Sequence, residues 1–249
     1  IGALLHVWHN YREEGITLNT NGEKGNVPTL DELENASINK GWNHVLIDTE
    51  KNTVYIDDTH ISLDVGGIAK GFATEKIAQS LESEGITTGA INAGGNNRTL
   101  GQKYDGSNWR VGIQNPKGSD SILVVNMDGK CSFVTSGDYE RYYEATDGNK
   151  YHHIIDPETL FPATNFHSVS IITEDSGVAD CLSTTLFTLS YEEGLKVLDT
   201  YRKEHPGTFI EAIWIMDEDK DIDTEYKHIT NNQLIVYSEG LKDKLTWVD

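Results

Sequence analysis

Cysteine is scarce in this chain: Cys131 and Cys181 stand far apart and in no CxxC or Cys/His spacing. Two such isolated thiols provide neither a zinc site nor a disulfide framework, and they do not fix the redox compartment. No apolar run is long enough to span a bilayer, and no stretch reads as a signal peptide. Basic residues are few as well, 20 Lys and Arg against 40 Asp and Glu, for a formal charge of −20. Nucleic acids and anionic membrane surfaces need clustered Lys and Arg, so this balance argues against both. The same charge repels any anionic ligand unless a cation, a lysine and backbone amides reverse the sign locally. A metal ion is therefore expected wherever phosphate binds. There is no starting methionine, and Ile1-Gly2-Ala3-Leu4-Leu5 reads as mid-helix, so the chain is expected to be a fragment lacking its upstream part.

What remains suffices for a real core: 249 residues, 37% hydrophobic, with no internal repeat and no low-complexity linker. The chain is accordingly taken as one region, 1–249. Its organising stretch is Leu63-Asp64-Val65-Gly66-Gly67-Ile68-Ala69-Lys70-Gly71-Phe72. A strand expected from His60 to Leu63 delivers the chain to Asp64, and Ala73, Ile77, Ala78 and Leu81 then repeat at helical spacing. Glycines at such a turn let a ligand approach the backbone, the first-turn N–H groups lack helical partners, and Lys70 adds positive charge. The pattern is neither a Walker A loop nor GxGxxG, and an ordinary strand-to-helix connection is the commoner account of such a turn.

Elsewhere the pattern is mixed. Leu4, Leu5, Trp8 and Tyr11 predict a first helix ended by Gly15, and Thr29 with Glu32 forms a capping box opening a second. Val45–Asp48 and Thr53–Ile56 predict a hairpin, and Gly85 ends the glycine-lysine helix. Gly89 to Ala93 predicts a strand that closes in a glycine turn. Further strands are expected at Trp109–Gln114, Ile122–Met127, Ser132–Thr135, Val169–Thr173, Phe209–Met216 and Leu234–Tyr237. Paired histidines, His152 and His153, precede an Asp156-Pro157 turn, and a hydrogen-bonded, half-buried imidazole is the plainer account of His153. Asp175 or Ser176 caps a largely apolar helix on which Asp180 and Thr184 stand four apart and share a face. A carboxylate and a hydroxyl at that spacing could take two positions around Mg²⁺, and a lone Asp in apolar surroundings needs some partner. Ser190 and Glu193 form another capping box, and the acidic run from Asp217 to Asp223 reads as a solvated turn. Strands dominate the middle with helices interspersed, which points to an α+β fold of largely antiparallel sheets with packed helices.

Five stretches together resemble the ApbE family, the FAD:protein FMN transferases, in the family's order: Asp64 to Gly71, Asn92-Ala93-Gly94-Gly95-Asn96, Thr135 to Arg141, Tyr151 to Pro157, and Ala179-Asp180 with Thr184. Any one is weak, whereas five in register make a specific match. The resemblance implies an ApbE-like, T-fold-like architecture and a bound FAD with Mg²⁺. By matching position, Asp64, Lys70, His153 and Ile154 would lie along FAD, while the Gly67 carbonyl, Asp180 and Thr184 would hold the metal. The implied reaction moves the FMN half of FAD onto a threonine or serine hydroxyl of an acceptor flavoprotein, releasing AMP. Lys70 would neutralise phosphate charge, and His153 or Asp64 would take the hydroxyl proton. Hydrolysis of FAD to FMN and AMP at the same site, or flavin binding without catalysis, are the alternatives. The resemblance also implies a lipid-anchored protein outside the cytoplasm. One departure stands out: the family's Thr-Gly after the Asp-Pro turn reads Thr159-Leu160 here. Family members also begin upstream of Ile1 with part of the flavin pocket, so weakened FAD binding is expected of this chain.

Overall fold

The computed structural model describes residues 2–38 and 41–248, which leaves Ile1, the first residue of the expected opening helix, outside the described residues. The chain opens with α1 (Gly2–Thr20) and α2 (Leu30–Ser37), followed by the hairpin β1 (Val45–Asp48) and β2 (Thr53–Ile56). Then come α3 (Ala69–Ser83), β3 (Gly89–Ala93), β4 (Asn96–Leu100), β5 (Trp109–Gln114), β6 (Ser121–Met127) and β7 (Ser132–Gly137). The short strands β8 (Tyr143–Glu144) and β9 (Lys150–Tyr151) lead to β10 (Ser168–Thr173), α4 (Ser176–Thr188) and α5 (Tyr191–Glu204). Last are β11 (Ile210–Asp217), β12 (Lys227–Thr230), β13 (Gln233–Tyr237) and β14 (Leu245–Trp247). None of these helices is long and apolar enough to cross a membrane. The chain divides into two compact units, Ile1–Val65 with Glu140–Ala163, and Gly66–Tyr139 with Thr164–Asp249.

In the first unit α1 runs past Gly15, where the sequence predicts its end. A Cβ at Gly15 would fall 2.3 Å from the Tyr143 ring, so this glycine is a packing site and not a stop signal. Trp8 stacks on Tyr151 and meets Phe161 edge-on, and its indole N–H donates to the Leu160 carbonyl at 2.8 Å. Leu4, Trp8, Leu33, Ile155 and Leu160 form the core of the unit. α2 opens with the capping box read from the sequence: the Thr29 hydroxyl accepts from the Glu32 N–H, and the Glu32 carboxylate accepts from the Thr29 N–H. No strand forms at 60–63. Asp58 turns the chain by accepting from the His60 N–H, and the Ser62 carbonyl accepts from the Gly2 N–H at the start of α1, so this backbone is engaged outside any ladder.

The second unit is built on a seven-stranded antiparallel sheet in the order β12-β13-β11-β10-β7-β4-β3. Alternation along the strands gives the sheet two apolar faces. One face presents Phe133, Ile172, Ile213, Ile215 and Ile235 to Ile113, Leu123 and Val125 of a smaller sheet, β14-β6-β5. The other face carries α4, which packs on β7 and β10, and α3 lies against α4 and β4. β4 does not show in the sequence pattern because Asn96, Arg98 and Thr99 are polar yet buried. Its Arg98 is neutralised by Glu75 at 2.9 Å and Glu82 at 3.4 Å, both on α3. The Asn-Ala-Gly-Gly-Asn turn joins β3 to β4 with positive φ at both Gly94 (+59°) and Gly95 (+93°), the geometry that a two-residue hairpin loop requires.

Candidate functional site

In the second unit, parts of four of the five motif stretches meet around the N-terminus of α3. Residues 66–68 form the turn that precedes the helix, and the Phe72 N–H closes its first turn on the Ile68 carbonyl. The cap residue, Ile68, has no side chain able to accept from the exposed first-turn amides. α4 supplies the acceptor instead: Asp180 Oδ2 takes the Gly71 N–H at 2.7 Å. This contact answers the need of a lone, 5% exposed carboxylate on a largely apolar helix, and it places negative charge at a helix N-terminus, where the dipole favours it. The approach is close enough to demand glycine. A Cβ at Gly71 would lie 2.1 Å from the Ser176 carbonyl oxygen and 2.4 Å from Asp180 Cβ. One turn further along α3, Glu75 accepts from the Ser176 N–H at 3.0 Å, and its ion pair with Arg98 keeps its carboxyl below the usual range despite burial.

Thr184 follows Asp180 by one helical turn and stands beside Gly67, where a Cβ would be 3.6 Å from Thr184 Oγ1. Its hydroxyl is 3.2 Å from Ser136 Oγ of β7, and Ser136 Oγ is 2.9 Å from Ser183 Oγ. On the other side, Lys70 Nζ donates to the Gly94 carbonyl at 3.4 Å, which links the glycine-lysine turn to the β3–β4 hairpin. Gly67, Lys70, Asp180 and Thr184 thus occupy one end of α3 and one face of α4. A backbone carbonyl, a carboxylate and a hydroxyl are hard oxygen donors of the kind Mg²⁺ prefers, and a single carboxylate suits a cation whose remaining positions go to water or phosphate. The described residues hold no group of three or more His, Cys, Asp or Glu side chains arranged as a metal cluster. Asp138, next in the Thr-Ser-Gly-Asp stretch, pairs with His167 Nδ1 at 2.8 Å, while His167 Nε2 faces Asp217 at 3.0 Å. With a carboxylate on each nitrogen, Asp138 foremost, the imidazolium is favoured and the His167 pKa rises.

Asp64, His153 and Ile154 belong to the first unit. Asp64 is exposed in the irregular segment 61–65. His152 is a satisfied core histidine: Nε2 donates to the Ala163 carbonyl at 2.9 Å and Nδ1 accepts from the Ile154 N–H at 3.2 Å. Ile154 is buried, and its carbonyl accepts from the Ala163 N–H. His153 differs. Arg141 lies 2.8 Å from Nε2 and can only donate, so Nε2 accepts and the proton sits on Nδ1, which is buried without a hydrogen bond of good geometry. Burial, then the Arg141 charge, pushes the His153 pKa down to about 3, so the ring is neutral over the physiological range. Neither Arg141 nor the Ser136–Ser183 pair stands out in the sequence. Arg141 was visible only as the last residue of the Thr135 stretch.

Comparison with known proteins identifies the family of the chain. The model of the ApbE family matches residues 1–209. The FAD:protein FMN transferase of Treponema pallidum (strain Nichols) is 41% identical over 178 residues, 67% of this chain and 47% of that protein. The Klebsiella pneumoniae (strain 342) protein of the same name is 36% identical over 157 residues, 62% of this chain and 47% of its own length. Among solved structures, the ApbE protein of Thermotoga maritima superposes with a TM-score of 0.69 at 35% identity, covering 86% of this chain and 65% of that one. The flavin transferase ApbE of Vibrio cholerae gives 0.68 at 28% identity, covering 88% and 63%. The chain spans about half the length of the curated relatives it matches.

Proposed function

The chain belongs to the ApbE family, and from that premise we propose that it transfers the FMN part of FAD to a threonine or serine hydroxyl of an acceptor protein, using Mg²⁺. The observation that carries the reading is the convergence of Asp180 and Thr184 with the Gly67 turn, more than a hundred residues earlier in sequence, at the start of α3. The Gly67 carbonyl, Asp180 and Thr184 would hold the cation, which when bound offsets charge on the diphosphate. In the reaction the acceptor oxygen bonds to the FMN phosphorus, the bond from that phosphorus to the bridging oxygen breaks, AMP departs with the bridging oxygen, and the hydroxyl loses its proton. Lys70, held near the Gly94 turn, and the positive end of the α3 dipole supply positive potential to phosphate oxygens. Asp64 or His153 receives the proton. For His153 to do so, Arg141 must first release Nε2. On the family pattern we place the protein outside the cytoplasm, anchored by lipid.

The test is to incubate the protein with FAD, Mg²⁺ and a candidate acceptor and to weigh the acceptor by mass spectrometry. Added FMN mass is expected. Free FMN and AMP with an unlabelled acceptor would mean hydrolysis, and intact FAD would mean flavin binding alone.

A further inference from the structure

Three buried or half-buried hydroxyls, Thr184, Ser136 and Ser183, form a line that ends on a backbone carbonyl. Ser183 Oγ lies 3.0 Å from the Asp180 carbonyl oxygen, Ser136 Oγ lies 2.9 Å from Ser183 Oγ, and Thr184 Oγ1 lies 3.2 Å from Ser136 Oγ. A hydroxyl has one proton to give, and a carbonyl has none. The Asp180 carbonyl can only accept, so Ser183 spends its proton there. The Ser136–Ser183 contact must then use the proton of Ser136, and the Ser136–Thr184 contact must use that of Thr184. Three protons serve three contacts, and every direction follows from the terminal carbonyl.

We propose that this hydroxyl relay, Thr184 to Ser136 to Ser183 to the Asp180 carbonyl, makes Thr184 Oγ1 a pure lone-pair donor toward the Gly67 and Asp180 side, so that Ser136 is a positioning residue for the cation. The inference rests on the cation reading given above and adds residues to which that reading assigns no role. Its physical basis is burial. Ser183 is 0% exposed, and a hydroxyl so placed keeps its hydrogen bond because losing it has no compensation from water. With its proton committed to β7, Thr184 turns oxygen lone pairs to the opposite side, which suits a metal ion and cannot donate to a phosphate oxygen. Strand alternation accounts for the position of Ser136. Phe133 points to the small sheet, so Val134 and Ser136 point to α4.

The test measures Mn²⁺ binding by electron paramagnetic resonance on the 249-residue protein, which reads the site without turnover. Ser136→Ala is expected to weaken Mn²⁺ binding about 10-fold, the lower end of what partners of metal ligands contribute. Ser136→Thr, which keeps the hydroxyl, should restore it. Ser183→Ala should weaken binding less, and the double alanine variant should be no worse than Ser136→Ala alone, because the relay is already cut. Asp180→Ala should abolish binding. Mn²⁺ affinity unchanged in Ser136→Ala but lost in Asp180→Ala overturns the relay and leaves the cation site standing. Affinity retained in Asp180→Ala, or absent in the parent protein, overturns the cation site and the relay with it. Should Ser136→Ala fail to fold, Ser183→Ala decides: affinity equal to the parent's overturns the relay.

Discussion

Gly71→Ala separates two opposing expectations. Helix propensity alone favours alanine inside α3 by about 1 kcal/mol. The contact with α4 opposes it, because the new Cβ would sit 2.1 Å from the Ser176 carbonyl oxygen and 2.4 Å from Asp180 Cβ, against ordinary contact at 3.4 Å and beyond. Neither neighbour is the far end of a flexible side chain, so the helices must separate by roughly 1 Å, an overpacking cost of about 1–3 kcal/mol. Separation stretches the 2.7 Å bond from the Gly71 N–H to Asp180 out of range. Losing a hydrogen bond to a buried charged group costs about 1.5–3 kcal/mol more. The net is a loss of about 2–5 kcal/mol, or a fall in melting temperature on the order of 4–20 °C for a chain of this size. Urea unfolding followed by tryptophan fluorescence and a calorimetric melt measure it. A variant as stable as the parent, or more so, would refute the close approach of α3 to α4 on which the candidate site is built.

Lys70→Ala should leave the melting temperature within the error of the scan, since Lys70 is exposed and its ammonium group reaches the Gly94 carbonyl only at 3.4 Å, and should weaken FAD binding in a fluorescence-quenching titration; unchanged affinity would make the glycine-lysine turn a mere connection. Leu160 has φ +66°, where a left-handed backbone costs roughly 1–2 kcal/mol, yet its side chain is 9% exposed among Leu4, Trp8 and Leu33. Leu160→Gly relieves the first and forfeits about 2–5 kcal/mol of packing, so denaturant titration should show a net loss. His153 sets an acid limb. Its folded pKa is depressed to about 3 against 6.5, so as pH falls below 6.5 the unfolded chain gains a proton that the folded chain refuses. Stability should then decline toward pH 3 at up to about 1.4 kcal/mol per pH unit, a slope that His153→Gln removes.

Local chemistry was legible wherever a few neighbouring residues decide the outcome. Both capping boxes form as spaced, and α3 stops at Gly85, φ +89°, with the Ile86 N–H returning to the Leu81 carbonyl and the Gly85 N–H to that of Glu82. The β5 and β6 alternation is likewise realised as a paired ladder. Hidden from the sequence were features set by distant partners. Gly15 resembles a helix stop until Tyr143 is brought against it. The polar residues of β4 conceal a buried strand whose Arg98 is neutralised from α3. For the candidate site, the four-residue spacing of Asp180 and Thr184 placed them on one helix face. Nothing in that spacing says that the face meets Gly71 and Ser136, because that depends on the ordering of strands in the sheet.

The adjacency of β7 and β10 also bears on how such a chain can be remade. Gly137 pairs with Ser168, the Asp138 N–H donates to the His167 carbonyl at 3.0 Å, and the His167 ring bridges Asp138 and Asp217. These bonds clasp the two ends of an excursion that runs through 140–163, so the ladder closes at the same rung whatever length lies between. A flexible insert placed in that excursion would add only about 0.6 kcal/mol of closure entropy for each doubling of its length. The clasp is thus a seam where segments can be grafted or trimmed while the seven-stranded sheet keeps its register.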